Sequence, residues 1–224
     1  MPETVLITGA SGLLGRALVA RFSGAGFQVL AQYRRRRGDS LENVRWLAGD
    51  FSSVKGTAAF LKTHAAALAA CGHVIHNYGP LVQKDTASLT GSDLLAAFQA
   101  QLQPALDITR FLLARARLRS ALFVAFEHTG RVRAYRRILA YAMAKNALLL
   151  LSRSLAAVHP GVRFTVFSPP SLAGAAVLPP GAHPVAPREV AERIFNVFRR
   201  RRSGCHFRYA AAAGKVRKQG GRHG

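Results

Sequence analysis

Carboxylates are scarce in this chain of 224 residues, which has 10 Asp and Glu against 32 Lys and Arg and so a formal net charge of +22. A field of that size attracts polyanions and steers anionic ligands. Part of the charge is local, because residues 34–37 and 199–202 are arginine runs and no carboxylate follows Arg199. No DNA- or RNA-reading motif accompanies these runs. We therefore interpret the charge mainly as arginines on solvated faces, with nucleic-acid binding as the less favoured alternative.

Cysteine is also rare, and the positions of Cys71 and Cys205 form no Cys-x-x-Cys pair. Histidine pairs at metal-ligand spacing are missing too, so we predict neither a disulfide framework nor a metal site. No apolar run reaches the roughly 20 residues of a membrane span. Met1 leads into a strand-like segment without a signal peptide. These absences predict a cytoplasmic protein without membrane contact.

Strand-like and helix-like segments alternate along the chain, which predicts an α/β fold with a doubly wound parallel sheet between two helical layers. The length suits a single domain. Predicted strands cover residues 4–8, 28–32, 44–47, 73–76, 122–126 and 163–167, and predicted helices cover 13–25, 54–70, 94–118, 138–159 and 187–198. Pro104 is expected to bend the third helix. Residues 168–186, rich in proline and glycine, are predicted to form a loop where a substrate lid would lie.

Three glycines separate the first predicted strand from the first predicted helix. Residues 8–15 read Thr-Gly-Ala-Ser-Gly-Leu-Leu-Gly. Gly9 permits a tight turn, Gly12 lets backbone N–H groups approach a pyrophosphate, and Gly15 allows the helix to pack closely on the strand. The phosphates would then lie at the positive end of the helix. The segment predicts a dinucleotide-binding site.

A tyrosine and a lysine four positions apart, Tyr141 and Lys145, project from one face of a predicted helix. A phenol with an ordinary pKa near ~10 is a poor acid or base at neutral pH. A neighbouring ammonium favours the phenolate, so we expect Lys145 to lower the pKa of Tyr141. Lys145 also has the reach to hold a ribose hydroxyl. The pair therefore predicts acid–base chemistry beside the cofactor.

With these motifs the chain resembles the short-chain dehydrogenase/reductase family over nearly its whole length, and the resemblance implies a Rossmann-type, three-layer α/β/α domain. Gly12 follows the glycine spacing of the family's longer, extended members. The resemblance implies that Asp50 binds the edge of the adenine ring, that Asn77 and Gly79 support the cofactor after the fourth strand, and that Pro169 lies beside the nicotinamide. Tyr141 and Lys145 match the catalytic pair. The expected cofactor contacts also include Ser11, Leu14 and Phe51.

Two further catalytic positions differ from the family pattern. His128 stands thirteen residues before Tyr141, where the family has its catalytic serine, and Thr129 follows it. Either side chain could hydrogen-bond a substrate carbonyl, Thr129 by its hydroxyl and His128 by an imidazole N–H. Gln101 occupies the position of the family's catalytic asparagine, with an amide one methylene longer. We keep all three as candidate catalytic residues.

Cofactor choice depends on the residues directly after the second strand, where an acidic side chain would select NAD. Arg34 and Arg35 occupy these positions, and guanidinium groups favour the 2′-phosphate of NADP(H). We predict an NADP(H)-dependent reductase that acts on a carbonyl or imine of a small molecule, with Tyr141 as proton donor. The alternative is a catalytically reduced protein that binds nucleic acid or senses NADP(H).

The expected organisation is a domain over residues 1–210 with a flexible basic tail over 211–224, in a homo-oligomer that is a dimer or a tetramer.

Overall fold

One eight-stranded sheet, in the order β3-β2-β1-β4-β5-β6-β7-β8, forms the centre of the molecule. The computed structural model of the chain describes residues 2–131, 135–175, 178, 182–200, 202–209 and 216–219. Pairs from β3 through β7 are parallel, and β8 pairs with β7 antiparallel. The strands are β1 Thr4–Ile7, β2 Gln28–Tyr33, β3 Val44–Ala48, β4 His73–His76, β5 Ser120–Val124, β6 Arg163–Ser168, β7 Cys205–Tyr209 and β8 Val216–Gln219.

Helices cover both faces of this sheet and bury the apolar side chains of its strands. They are α1 Leu13–Ser23, α2 Val54–Thr63, α3 Ala65–Leu68, α4 Gly91–Leu113, α5 Leu139–Val158 and α6 Pro187–Phe198. On one face, α1 and α6 pack over Val5, Ile7 and Val29. On the other face, α4 and α5 pack over Leu6 and Val74. Burial on both faces is typical of parallel sheets. The predicted doubly wound, three-layer α/β/α domain is confirmed.

The six predicted strands are all present, but several predicted boundaries differ from the structure. β5 begins two residues before the predicted segment, and residues 125 and 126 follow it as loop. The predicted helix over residues 54–70 is divided at His64 into α2 and α3. α4, Gly91–Leu113, begins earlier than predicted, because Thr90 is its N-cap and forms a capping box with Asp93 in the first turn. The helix continues through Pro104 without a break.

The two strands at the end of the chain, β7 and β8, are not among the predicted strands. β8 lies within the segment 211–224, for which the composition predicts a flexible tail, and its four residues pair with β7. The rest of that tail lies outside the described residues. So do residues 176, 177 and 179–181 of the predicted loop, whose described parts meet in a bridge between Leu172 and Val185. The domain bounds stay a prediction.

The carboxyl ends of β1, β4, β5 and β6 lie side by side in the parallel sheet. In open α/β sheets, ligands bind outside these ends, where the chain turns from strands to helices on alternate faces. β1 is followed by the glycine turn and α1, while β4 is followed by the segment leading to α4. The predicted site residues after β1, β4 and β6 therefore share one edge of the sheet.

Candidate functional site

A cleft of about 410 Å³ opens at the carboxyl edge of the sheet. That volume falls within the range of small-molecule sites. Most of the predicted cofactor residues line it, namely Gly9, Ser11, Gly12, Leu14, Arg34, Asn77, Gly79, Tyr141, Lys145 and Pro169. Gly15, Arg35, Asp50 and Phe51 are not among its lining residues, and neither are Gln101, His128 and Thr129.

The glycine turn before α1 brings backbone donors to the cleft. Gly9 has a φ of +62°, a conformation that side chains other than glycine rarely adopt, and a Cβ there would lie 3.0 Å from the Cα of Tyr78. Gly12 is the N-cap of α1 and offers no side chain to the first turn. The first N–H groups of a helix have no partner within it. Together with the helix dipole, these N–H groups make the turn suited to a phosphate.

Gly15 supports the same turn from behind. It is buried in α1, and a Cβ on it would lie 2.2 Å from the carbonyl oxygen of Gly9. Only glycine allows the helix to pack this closely on the turn. The contact is with the turn, so the close packing of helix on strand predicted for Gly15 stays a prediction.

Gln32 lines the cleft, although it belongs to none of the sequence motifs. Its side chain is 1% exposed. The Gly9 N–H donates to Gln32 Oε1 at 2.7 Å, and Gln32 Nε2 donates to the Gly49 carbonyl at 2.6 Å. The amide therefore ties the glycine turn to the end of β3, just before Asp50. The sequence signal that could have identified Gln32 is its position as a polar residue among the apolar residues of β2.

At the other end of the cleft, Arg34 follows β2 and carries an exposed guanidinium. Asp50 is close to this cation. Its pKa is lowered, chiefly because its carboxylate accepts the Ser52 N–H at 2.9 Å, with a smaller contribution from Arg34 and Arg35. Phe51 is fully buried and packs edge-to-face on Tyr78, with ring centroids 5.4 Å apart. Phe51 therefore supports the cleft from beneath.

The turn after β4 is held to the glycine turn by the hydroxyl of Thr8. Thr8 Oγ1 accepts the N–H groups of Asn77 and Tyr78 at 3.0 and 3.1 Å. Asn77 Nδ2 donates to the Gly9 carbonyl at 3.2 Å. Tyr78 lines the cleft, and burial raises its pKa. Asn77 therefore supports the glycine turn, and its contact with a cofactor stays a prediction. Tyr78 is an additional lining residue.

Lys145 and Tyr141 line the cleft from the first turns of α5, with the lysine Nζ 5.8 Å from the centroid of the phenol ring. Lys145 is 2% exposed, and its Nζ donates to the Val124 carbonyl at 2.9 Å. A Cβ on Gly79 would lie only 2.5 Å from this Nζ. The ammonium therefore occupies space that exists because residue 79 is glycine.

Burial shifts the protonation of both members of this pair. It raises the pKa of Tyr141 to about 12 and lowers the pKa of Lys145 to about 8. The expectation that the Lys145 ammonium lowers the tyrosine pKa is wrong for the protein in this state, because desolvation of the phenolate outweighs the attraction of the cation. At neutral pH the phenol holds its proton.

Gln101 lies behind Lys145, buried to 2% exposure in α4. Its Nε2 donates weakly to the Pro80 carbonyl at 3.4 Å, and its Oε1 has no hydrogen-bond partner among the described residues. A Cβ on Gly79 would lie 3.2 Å from this oxygen and 2.5 Å from Lys145 Nζ, so the two atoms lie on the same side of Gly79. An unsatisfied buried acceptor therefore lies close to the ammonium.

The two candidates for the serine position lie in the loop after β5, beyond the residues that line the cleft. Thr129 is fully buried, and its Oγ1 accepts the Phe126 N–H at 3.1 Å. Its carbonyl accepts Arg208 Nη2 at 2.5 Å. His128 is partly exposed and packs edge-to-face on Phe126, which in turn packs on Tyr141. Of the two residues, only His128 is partly exposed, because Thr129 is fully buried.

Five further residues line the cleft without having been predicted. They are Leu13, Pro80, Val124, Ala125 and Leu172. Leu172 belongs to the 168–186 segment and forms a bridge to Val185. The described residues contain no group of three His, Cys, Asp or Glu side chains that could hold a metal ion. In the same part of the chain, no helix has the length and apolarity needed to cross a membrane.

Comparisons with known proteins agree with this geometry. The model of the NAD dependent epimerase/dehydratase family matches residues 5–206. A short-chain dehydrogenase from Streptomyces avermitilis superposes with a TM-score of 0.79 at 18% identity, over 94% of this chain and 89% of its own.

Two other similar structures were solved with a dinucleotide. A short-chain dehydrogenase from Leptospira borgpetersenii with bound NAD+ has a TM-score of 0.75 and 16% identity, covering 93% of this chain and 91% of its own. The angucycline C-6 ketoreductase LanV with bound NADP has a TM-score of 0.78 and 14% identity, covering 92% and 93%. At these identities the likeness shows the fold alone. No curated protein matches the chain.

Proposed function

Because the chain belongs to the NAD dependent epimerase/dehydratase family, within the short-chain dehydrogenase/reductase superfamily, we propose that it is an NADP(H)-dependent oxidoreductase. Its substrate is a small molecule with a carbonyl or imine group. The observation that carries the proposal is the position of Tyr141 and Lys145 in the cleft that the glycine turn opens onto. A proton donor and a phosphate-binding turn therefore face the same space.

The residues present fit a nicotinamide dinucleotide. The uncapped first turn of α1 would hold the pyrophosphate, while Asn77 and the turn after β4 support it. Lys145 keeps N–H donors beyond the one given to Val124, and these would hold the nicotinamide ribose. When bound, NADPH supplies the hydride.

The chain's own part in the reaction is to position the substrate and deliver a proton. The Tyr141 hydroxyl would hydrogen-bond the carbonyl oxygen or imine nitrogen of the substrate and would transfer its proton to that atom. Burial keeps the phenol protonated at neutral pH, which suits the direction of reduction. The Lys145 ammonium stabilises the phenolate that remains, because opposite charges attract strongly in a buried site.

This role of Tyr141 is tested by Tyr141→Phe in an assay of NADPH oxidation with a panel of aldehydes, ketones and imines. We expect turnover to disappear while the dissociation constant for NADPH stays nearly unchanged, since the variant lacks only the transferable proton. Lys145→Ala should lower turnover and also weaken NADPH binding. Tyr209→Phe is the control, because Tyr209 lies on β7 and hydrogen-bonds Glu189. Full turnover by Tyr141→Phe would assign the proton to another group.

The preference for NADP(H) rests on Arg34, which lines the cleft directly after β2, with Arg35 beside it. No carboxylate directly follows this strand to hold the ribose hydroxyls. Guanidinium groups bind a phosphate with paired, charge-assisted hydrogen bonds. Asp50 lies near both arginines and keeps its own negative charge. We therefore assign the 2′-phosphate of NADP(H) to Arg34, with Arg35 as a second cation.

Titrations with NADPH and NADH test this preference. We expect the unmodified protein to bind NADPH much more tightly, and Arg34→Ala/Arg35→Ala to lose most of the difference. Arg36→Ala/Arg37→Ala is the matched control, because it removes the same charge from exposed positions two residues further along. Equal affinities for the two cofactors in the unmodified protein would overturn the assignment.

A further inference from the structure

A second and larger groove, of about 900 Å³, opens at the opposite edge of the sheet, where the strands begin. It is lined by Glu3, Arg21, Ala25, Phe27, His73, Arg119, Gly161, Arg163, Phe195, Phe198 and Arg199. None of these residues lines the cofactor cleft. The proposed oxidoreductase chemistry leaves this groove without a role.

The groove carries an excess of positive charge. Four arginines line it against a single carboxylate, that of Glu3. Glu3 pairs with Arg119 at 2.7 Å, and Glu192 on α6 pairs with Arg21. Four further arginines lie close to the groove-lining ones along the chain and are exposed, namely Arg115, Arg117, Arg200 and Arg202. Of the two arginine runs, only the second, which begins with the groove-lining Arg199, therefore adds charge near this edge.

Arg21 is held flat at the groove by an aromatic ring. Its guanidinium lies over the Phe195 ring, 3.6 Å from the centroid, and Glu192 fixes it from the side. The Arg21 side chain remains 30% exposed. A guanidinium stacked on one face in this way presents its other face to a second planar ring. Phe27, partly exposed in the same lining, adds an aromatic surface.

His73 adds a buried polar atom to the groove. The residue is 3% exposed, and its Nδ1 shares a hydrogen bond with Ser120 Oγ at 2.8 Å. Its Nε2 has no hydrogen-bond partner among the described residues, and the Glu3 carboxylate lies 3.5 Å away. A buried polar atom left unsatisfied costs free energy. A ligand with a hydrogen-bonding ring edge would satisfy it.

We propose that this groove binds single-stranded nucleic acid. Arg119 and Arg199 contact phosphates, and a base stacks on Arg21 beside Phe27. Unpaired bases offer their faces to such stacking, whereas a duplex hides them. Glu3 opposes binding, because its carboxylate repels phosphate and occupies Arg119. The excess positive charge of the chain steers the strand to this edge.

Fluorescence anisotropy with labelled uridine and thymidine oligonucleotides of about 12 units tests the proposal, because site sizes run to roughly 16 nucleotides. Affinity for single strands falls with salt with a slope of about 0.7 per phosphate contact. Arg119→Ser/Arg199→Ser should therefore lower the slope by about 1.4 and weaken binding about 25-fold at ~0.1 M salt. The control is Arg137→Ser/Arg188→Ser, which removes the same charge at the carboxyl edge of the sheet. It should change the salt slope and the affinity far less.

Two further variants separate the effect of base stacking on Arg21, and of phosphate repulsion by Glu3, from the effect of net charge. Arg21→Lys keeps the cation but removes the flat surface, so affinity should fall at least about fivefold with the salt slope unchanged. Glu3→Gln should bind more tightly than the unmodified protein, a gain that misfolding cannot produce. The tighter of the two oligonucleotides identifies RNA or DNA as the ligand.

Three results would overturn the proposal. The first is the absence of oligonucleotide binding at ~0.05 M salt. The second is an equal loss of affinity in the Arg119→Ser/Arg199→Ser and Arg137→Ser/Arg188→Ser variants. The third is a duplex that binds as tightly as the single strand. None of them bears on NADPH affinity or turnover, which are measured separately.

Discussion

Among single residues, Lys145 shows most clearly how function and stability oppose each other. A lysine buried to 2% exposure loses hydration, and this lowers its pKa from an ordinary value of 10.5 to about 8. No carboxylate forms an ion pair with it among the described residues, and its hydrogen bond to Val124 goes to a neutral carbonyl. The position is suited to a ligand hydroxyl and costly to the protein without one.

The pH dependence of unfolding should reveal this cost. Because the pKa of Lys145 is lower in the folded protein, the unfolded chain binds more protons between about pH 8 and 10.5. The free energy of unfolding of the unmodified protein should therefore rise with pH across that window, by up to about 3 kcal/mol relative to Lys145→Met. Below pH 8 the difference should be constant. Urea titrations at several pH values measure it, and a flat difference throughout would contradict the assignment.

The buried Thr129 and the partly exposed His128, both after β5, are expected to differ in their effects on kinetics. We expect His128→Ala to lower turnover on the order of a hundredfold, as loss of one donor to a developing oxyanion does. Thr129→Val should leave turnover nearly unchanged. It should instead destabilise the fold by about 1–3 kcal/mol, because the Phe126 N–H loses its acceptor.

Steady-state kinetics and denaturant unfolding of both variants decide between the two residues. If Thr129→Val lowers turnover and His128→Ala does not, the roles are reversed. If neither changes turnover, neither residue replaces the family's serine.

Among the elements, α1 and the turn before it depend on two glycines for different reasons. A Cβ on Gly15 would lie 2.2 Å from a backbone oxygen, whereas a Cβ on Gly12 has Gly9 O at 3.3 Å as its nearest atom. Gly12 also has ordinary extended backbone angles. Gly15 is therefore required by packing, whereas we expect Gly12 to matter for the approach of a ligand.

The pair Gly15→Ala and Gly12→Ala tests this difference. Gly15→Ala should lower the free energy of unfolding by about 1–3 kcal/mol, because the helix must move away from the turn. Gly12→Ala should cost less than about 1 kcal/mol, yet still weaken NADPH binding, since its methyl group faces the cleft. Thermal unfolding and cofactor titration of the two variants provide the comparison. Equal losses in the free energy of unfolding for the two variants would show that packing does not require glycine at position 15 more than at position 12.

Element boundaries show where the sequence pattern stops being informative. The apolar run over residues 122–126 predicted a strand, but the strand is Ser120–Val124 and Phe126 packs on Tyr141 instead. β7 was missed because its apolar side chains alternate with His206 and Arg208 and so form no continuous apolar run like those of the predicted strands. Both are buried, His206 against Ser168 Oγ at 2.8 Å and Arg208 against the Thr129 carbonyl. Contacts of this kind, with partners distant in sequence, cannot be recognised from the local sequence.

Across the whole molecule, alternation of strands and helices predicted the architecture, and ordered motifs predicted the family. Both are confirmed. The cleft brings together ten of the fourteen predicted cofactor residues, because motifs at strand ends converge on one sheet edge. Gln32 was missed, since its partners Gly9 and Gly49 are neighbours only in the folded sheet. The oligomeric state stays a prediction.

The strand order has a consequence for how the chain folds during synthesis. β1 is made first and pairs with β2 on one side, but its other neighbour is β4, which begins only at His73. At ~5–20 residues per second, a ribosome needs several seconds to reach that point. Until then one edge of β1 has no strand beside it and can recruit a wrong one. β1, the strand that leads into the glycine turn, is therefore prone to mispairing with another strand during synthesis.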